Sequence, residues 1–165
     1  MKSNVLCITI AVGIAFSSCI ATKSTSEKTT VDSTENVAQS ATIDNVVYEI
    51  AKNYFVKNTY KNEQIETLKI TTQEKFDEVF GMAATMGKNG MPTKIDFSKQ
   101  FVAAIVGQEM NKEVNFQVNS FVKKGDEIVL TYTVMEGKEL SFTIQPSLIL
   151  VLDKAWDGTL KFEKK

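Results

Sequence analysis

The chain has 165 residues, with 19 Lys+Arg against 20 Asp+Glu and no histidine, and every positive side chain is a lysine. A near-neutral balance offers no basic field for nucleic acid. Without imidazole or guanidinium the chain lacks the commonest general base and metal ligand, and the preferred bidentate clamp for carboxylates and phosphates.

The first residues read as a targeting segment. Lys2 is followed by an apolar run from Val5 to Phe16, then by Phe16-Ser17-Ser18-Cys19. A secretory signal needs about 7–15 apolar residues after a positive end. A spanning helix needs roughly 18, so this run is too short to cross a membrane. Small Ser17 and Ser18 ahead of Cys19 fit a lipobox. Residues 1–18 are therefore expected to be a lipoprotein signal peptide, with cleavage before Cys19 and a lipid, palmitate among its acyl chains, on that cysteine. Cys7 leaves with the signal, so the mature chain is expected to hold no thiol for a disulfide, a metal or a nucleophile.

Residues 19–42 read as the lipidated cysteine and a flexible tether dense in Ser and Thr. Such a segment buries too little apolar surface to offset its ordering entropy. As a coil it reaches roughly 25–30 Å. Ile20-Ala21-Thr22-Lys23 carries no acidic run of the kind that directs lipoproteins to the cell surface. The expected location is the bacterial envelope, lipid-anchored in the outer membrane and facing the periplasm.

Residues 43–165 are expected to form a single folded domain. From Val46 to Val56 apolar residues fit both strand and helix spacing, and periodicity does not separate the two. Aromatic and β-branched residues favour a strand at Asn53-Tyr54-Phe55-Val56, and a second strand is expected at Ile65–Ile70. Thr71-Thr72-Gln73-Glu74 fits a capping box ahead of Phe76, Val79, Phe80 and Ala83 at helical spacing. Gly87 is the expected terminator, followed by a turn-forming loop to Asp96.

Strands then dominate. Phe101–Val106 is a continuous apolar run suited to a strand covered on both faces. Phe116–Val122 and Ile128–Val134 flank the hairpin signal Lys124-Gly125-Asp126. Glu136-Gly137 is expected to turn into Leu140–Ile144, and Pro146 to open the run Leu148–Leu152. Asp157-Gly158 suits a two-residue type I′ turn into Thr159–Phe162. The expected fold is α+β: a mostly antiparallel β meander with one early inserted helix.

The chemistry-bearing residues are sparse. Ser98 and Ser141 lie outside any Gly-x-Ser-x-Gly elbow, with only Lys99 or Lys138 nearby as a base. Asp77 with Glu78, Asp126 with Glu127, and Glu136 with Glu139 are acid pairs of the type glycosidases use, but each falls at a turn or solvent face. No catalytic residue, metal or cofactor is expected. Lys88, Asn89, Pro92 and Asp96, on the glycine-rich loop, are candidate partner-binding residues, because binding residues concentrate on loops held by a rigid scaffold. Trp156, beside a turn, is a further candidate, as a protein anchor or sugar platform; packing against a strand end is its alternative.

Phe101-Val102-Ala103-Ala104-Ile105-Val106, Gly125-Asp126-Glu127-Ile128-Val129-Leu130-Thr131-Tyr132, and Pro146 ahead of Leu148-Ile149-Leu150-Val151 resemble the C-terminal domain of the protease complex subunit PrcB family. Asn53-Tyr54-Phe55-Val56 and Ile95-Asp96-Phe97-Ser98-Lys99 are similar to blocks of small bacterial envelope lipoproteins. The resemblance implies an accessory subunit that binds and stabilises a partner protein in the envelope, and it implies no catalytic residue. The expected function is a membrane-tethered, non-catalytic lipoprotein that binds a partner protein. The alternative is a glycan or small-ligand module on the same tether.

Overall fold

The computed structural model describes residues 43–87 and 90–165. The signal segment, the tether, Cys19, Lys88 and Asn89 lie outside the described residues. In chain order come strands β1 (Ile43–Asn45), β2 (Glu49–Ile50), β3 (Tyr54–Val56) and β4 (Glu66–Ile70), then helix α1 (Gln73–Val79). Strands β5 (Phe80–Met82), β6 (Gln100–Val106), β7 (Met110–Lys124), β8 (Glu127–Ile144) and β9 (Ser147–Asp153) follow. A single 3-10 turn (Lys154–Trp156) leads into β10 (Thr159–Lys164). The fold is mostly β with one short helix.

The apolar run Phe101–Val106 becomes the middle of the molecule, as its composition predicts. Strand β6 sits between β9 and β4 in a sheet ordered β2-β9-β6-β4. Because side chains alternate across a strand, its two faces feed two cores. Phe101, Ala103 and Ile105 join Leu148, Leu150 and Leu152 of β9, and pack on Phe116, Phe121, Ile128, Leu130 and Tyr132 of a second sheet. Val102, Ala104 and Val106 join Ile149 and Val151, and pack on Val56, Ile70, Phe76, Val79 and Phe80. The second sheet is ordered β1-β7-β8-β10, and a two-stranded ribbon pairs β3 with β5.

The helix begins one residue later than the capping box predicts. Thr72 is the N-cap, and its hydroxyl accepts the Lys75 N–H at 3.3 Å. Glu74 therefore stands too early to reach back, and the cap is one-sided. Gly87 does not end this helix. Phe80 is already extended and pairs with Val56. Pairing with β3 overrides the helical spacing that ran on to Ala83.

The single antiparallel meander is corrected in three places. No turn forms at Glu136-Gly137, and β8 runs on to Ile144 through register shifts against β7. Leu140–Ile144 is thus its far end, and Phe142 is 60% exposed there. Nor does Asp157-Gly158 make a two-residue hairpin. The 3-10 turn carries the chain from the first sheet to the second, where β10 runs parallel to β8 from Thr159↔Glu127 to Lys164↔Tyr132. This crossing is close: Thr159 N–H donates to the Asp126 carbonyl at 2.7 Å. A Cβ at Gly158 would collide with that same carbonyl.

Three measurements follow from these packings. Phe76 is 2% exposed and touches the rings of Tyr54, Phe80 and Phe97. Phe76→Ala is expected to cost about 3–5 kcal/mol in urea unfolding. Gly158→Ala is expected to push β10 off β8, read as faster hydrogen exchange at Thr159–Lys164 with β6 still protected. Tyr60 donates its hydroxyl to Glu66, and burial followed by that hydrogen bond pushes the phenol up to about 12. Its folded-state value is raised, so the stability it contributes is complete below about pH 10 and fades as pH climbs towards the folded value. Absorbance at the phenolate band is expected to show a late step near pH 12 that Tyr60→Phe removes.

Candidate functional site

Of the residues singled out from the sequence for binding, Pro92, Asp96 and Trp156 lie in described segments that are bonded or packed to the rest of the fold, and Lys88 and Asn89 lie outside the described residues. Pro92 is half-buried in a segment pinned to the start of the β3–β5 ribbon. Asn53 Nδ2 donates to the Met91 carbonyl at 2.9 Å, Lys52 N–H to Thr93 Oγ1 at 3.0 Å, and Tyr54 Oη to the Thr93 carbonyl at 2.7 Å. Asp96 builds the turn ahead of β6. Its carboxylate accepts Ser98 Oγ at 2.5 Å and Ser98 N–H at 3.0 Å. Those two bonds, with Lys99 and Lys154 as weaker contributors, hold its carboxyl below the usual range.

Trp156 closes the 3-10 turn, half-buried against the core between the two sheets. Part of the ring packs on the core, as in the strand-end alternative, and part of it stays in solvent. Lys154 N–H donates to the Lys99 carbonyl at 2.8 Å, so the turns carrying Asp96 and Trp156 meet at one end of the first sheet. Pro92 is held elsewhere, on Lys52–Tyr54.

Four of the acid candidates and Ser98 are similarly engaged. Asp77 accepts from Gln73 at 2.8 Å and Glu78 pairs with Lys75 at 2.7 Å. Glu127 pairs with Lys161 at 2.5 Å and Glu136 with Lys112 at 2.6 Å. The bond to Lys112 holds the Glu136 carboxyl below its ordinary range and raises the ammonium of Lys112. Exposed pairs of this kind contribute little stability. The Ser98 hydroxyl is spent on Asp96, and Ser141 is exposed on β8.

The feature with the geometry of a site is one that spacing does not reveal. Strand β1 pairs with β7 only from Ile43↔Lys124 to Asn45↔Val122. One further bond, Val46 N–H to the Phe121 carbonyl at 2.9 Å, ends the contact. The chain then crosses to the other sheet, where Glu49↔Val151 and Ile50↔Leu150 pair. Among the described residues, no strand pairs with β7 from Met110 to Ser120 on the side away from β8.

A groove of about 540 Å³ lies beside this free edge. It is lined by Tyr48, Ile50, Asn115, Phe116, Gln117, Val118, Met135 and Leu148. Phe116 and Leu148 are nearly buried in its floor, while Ile50 and Met135 stand 48% and 52% exposed at its sides. Asn115 and Gln117 are exposed and uncharged. A register shift between Val118 and Ser120 shapes this stretch. An extra residue in β7 reverses the alternation, so Phe116 and Phe121, an odd number apart, both face the core.

An apolar floor beside unpaired backbone donors and acceptors can take an extended peptide as an added strand. The lining carries neither carboxylate nor ammonium, so it offers shape and main-chain bonding and no charge. The open signal in the sequence was the unresolved spacing of Val46–Val56. That stretch forms short strand pieces broken by a crossing. No family model matches the chain, and no curated protein and no solved structure matches it either.

Proposed function

We propose that this chain is a lipid-anchored, non-catalytic protein of the bacterial envelope that holds a partner protein by the free edge of β7. The observation that carries the reading is the apolar groove running beside a stretch of β7 that, among the described residues, pairs with no strand on its outer side. An extended segment of the partner bonds to the backbone of Asn115–Ser120 and sets alternate side chains against Tyr48, Phe116 and Leu148. The anchor is Cys19, reached through the lipobox Phe16-Ser17-Ser18-Cys19, and the location is the outer membrane facing the periplasm.

Two further lines support it. The chain has no histidine or arginine, and its only cysteines are Cys7 and Cys19. The strand blocks that resemble the PrcB family imply an accessory subunit acting on a partner. A glycan platform is the weaker reading, because Trp156 lends its ring to the core.

The test places a photo-crosslinking residue at Gln117 of the full chain in intact cells, with Glu163 on β10 as the control position. A discrete crosslinked protein is expected from Gln117 alone, and Val118→Asp is expected to lower its yield at least tenfold. No adduct at Gln117, or equal adducts at both positions, overturns the groove. Acyl labelling is expected to vanish in Cys19→Ala; labelling that survives overturns the anchor.

A further inference from the structure

Helix α1 passes straight into β5, with no connecting loop between Val79 and Phe80. Strand β3 pairs with β5, and Lys57, just past its end, donates its N–H to the Val79 carbonyl at 2.9 Å. A cleft of about 330 Å³ is left between the helix and the β3–β5 ribbon. It shares no lining residue with the groove beside β7. Small-molecule pockets run from about 300 to 1,000 Å³, so this cleft suits a small ligand.

Its floor is aromatic. Phe76 and Phe80 are buried with ring centroids 5.0 Å apart, and the Tyr54 ring meets Phe76 edge-on at 5.1 Å. Met82, which pairs with Tyr54 across the ribbon, lines the cleft while 70% exposed, so apolar surface is left uncovered at the mouth.

The rim carries two opposite charges. Gln73, Phe76 and Asp77 stand at i, i+3 and i+4, which puts them on one face of α1. Phe76 joins the core, and the Asp77 carboxylate accepts from Gln73 at 2.8 Å. After burial, the charge of Asp77 is the second cause that holds the Tyr54 phenol above its ordinary range, so this carboxylate stands close to the aromatic floor. The Lys57 ammonium donates to the Asp77 main-chain carbonyl, and the two side chains form no ion pair. An ammonium has three N–H donors and a carboxylate two oxygens. Each therefore keeps bonding capacity for a ligand.

An aromatic floor with one ammonium and one carboxylate at its rim complements a molecule that holds both charges close together on an apolar body. We propose that this cleft binds a small zwitterion with an apolar side chain, a free α-amino acid such as leucine or phenylalanine. The ligand side chain lies on Tyr54, Phe76 and Phe80, its carboxylate meets Lys57, and its ammonium meets Asp77. This site does not rest on partner binding at β7.

The test uses the full chain in detergent, labelled at the methionine methyls, and titrates it with L-leucine, L-phenylalanine, N-acetyl-L-leucine and L-leucinamide. The two amino acids are expected to shift the Met82 methyl signal saturably and to leave that of Met135, in the β7 groove, where it is. N-acetyl-L-leucine lacks the ammonium and L-leucinamide the carboxylate, so each is expected to bind at least tenfold more weakly. Asp77→Asn keeps the size of the side chain, and it is expected to keep the circular dichroism and to weaken L-leucine at least tenfold. Glu78→Gln, next in the helix and paired with Lys75, is expected to change nothing. No saturable shift at Met82 with millimolar amino acid, equal binding of the capped and free ligands, or full binding by Asp77→Asn overturns the site.

Discussion

Everything in the described fold depends on one strand being apolar on both faces. From Phe101 to Val106, β6 has between 0% and 1% of each residue in solvent. A strand with one wet face supports one layer; this one demands two. Its odd residues call for the second sheet, and its even residues call for α1 and the β3–β5 ribbon. Ala103 and Ala104, at its centre, let both neighbouring layers approach the same sheet. The helix is only seven residues long. Isolated helices of that length do not persist in water, so α1 exists because Phe76 and Val79 have an apolar surface to cover.

Layering of this kind leaves edges to be managed. The sheet holding β6 ends in β4 on one side and in the two-residue β2 on the other. In the second sheet, β10 covers β8 only from Glu127 to Tyr132. Salt bridges such as Lys161–Glu127 and Lys112–Glu136 put charge along these strands. The stretch of β7 from Met110 to Ser120 is the long exception, since β1 leaves it after Phe121. Charge is placed at its start, on Lys112 and Glu113, and gives way to Asn115, Gln117 and Asn119 further on. Among the described residues, those lining the groove carry no charge that would deter an incoming strand.

Much of the fold was legible where one physical rule decided the outcome. Phe101–Val106 and Leu148–Leu152 read as buried strands because they are short apolar runs between turns and carry β-branched residues. The hairpin at Lys124-Gly125-Asp126 was legible because Gly125 takes φ 59, which glycine supplies readily. Legibility failed where two rules competed. Phe80 fits the helical stripe, yet its partner Val56 lies in another element, so tertiary pairing decided it. Asp157-Gly158 has the chemistry of a tight hairpin, yet the glycine serves a close crossing over Asp126. The residues picked for binding were picked for exposure and turn chemistry, and Asp96 shows the weakness of that choice. A carboxylate at a turn is as useful for bonding Ser98 as for meeting a partner.

The same competition explains why the groove was hidden and where its sign lay. Val46–Val56 satisfied strand and helix spacing equally because it obeys neither for long. Val46 is buried and Val47 is 71% exposed, as on a strand, and then the chain changes sheets. Leaving β7 opens the groove; joining β9 supplies Ile50 to its wall. A few residues later the chain turns at Asn53, whose left-handed backbone starts the ribbon and whose side chain holds Met91. A stretch with unsettled periodicity, lying between strongly patterned strands, marks a chain path set by its neighbours. Such a path leaves backbone uncovered on one side, and uncovered backbone is what an added strand requires.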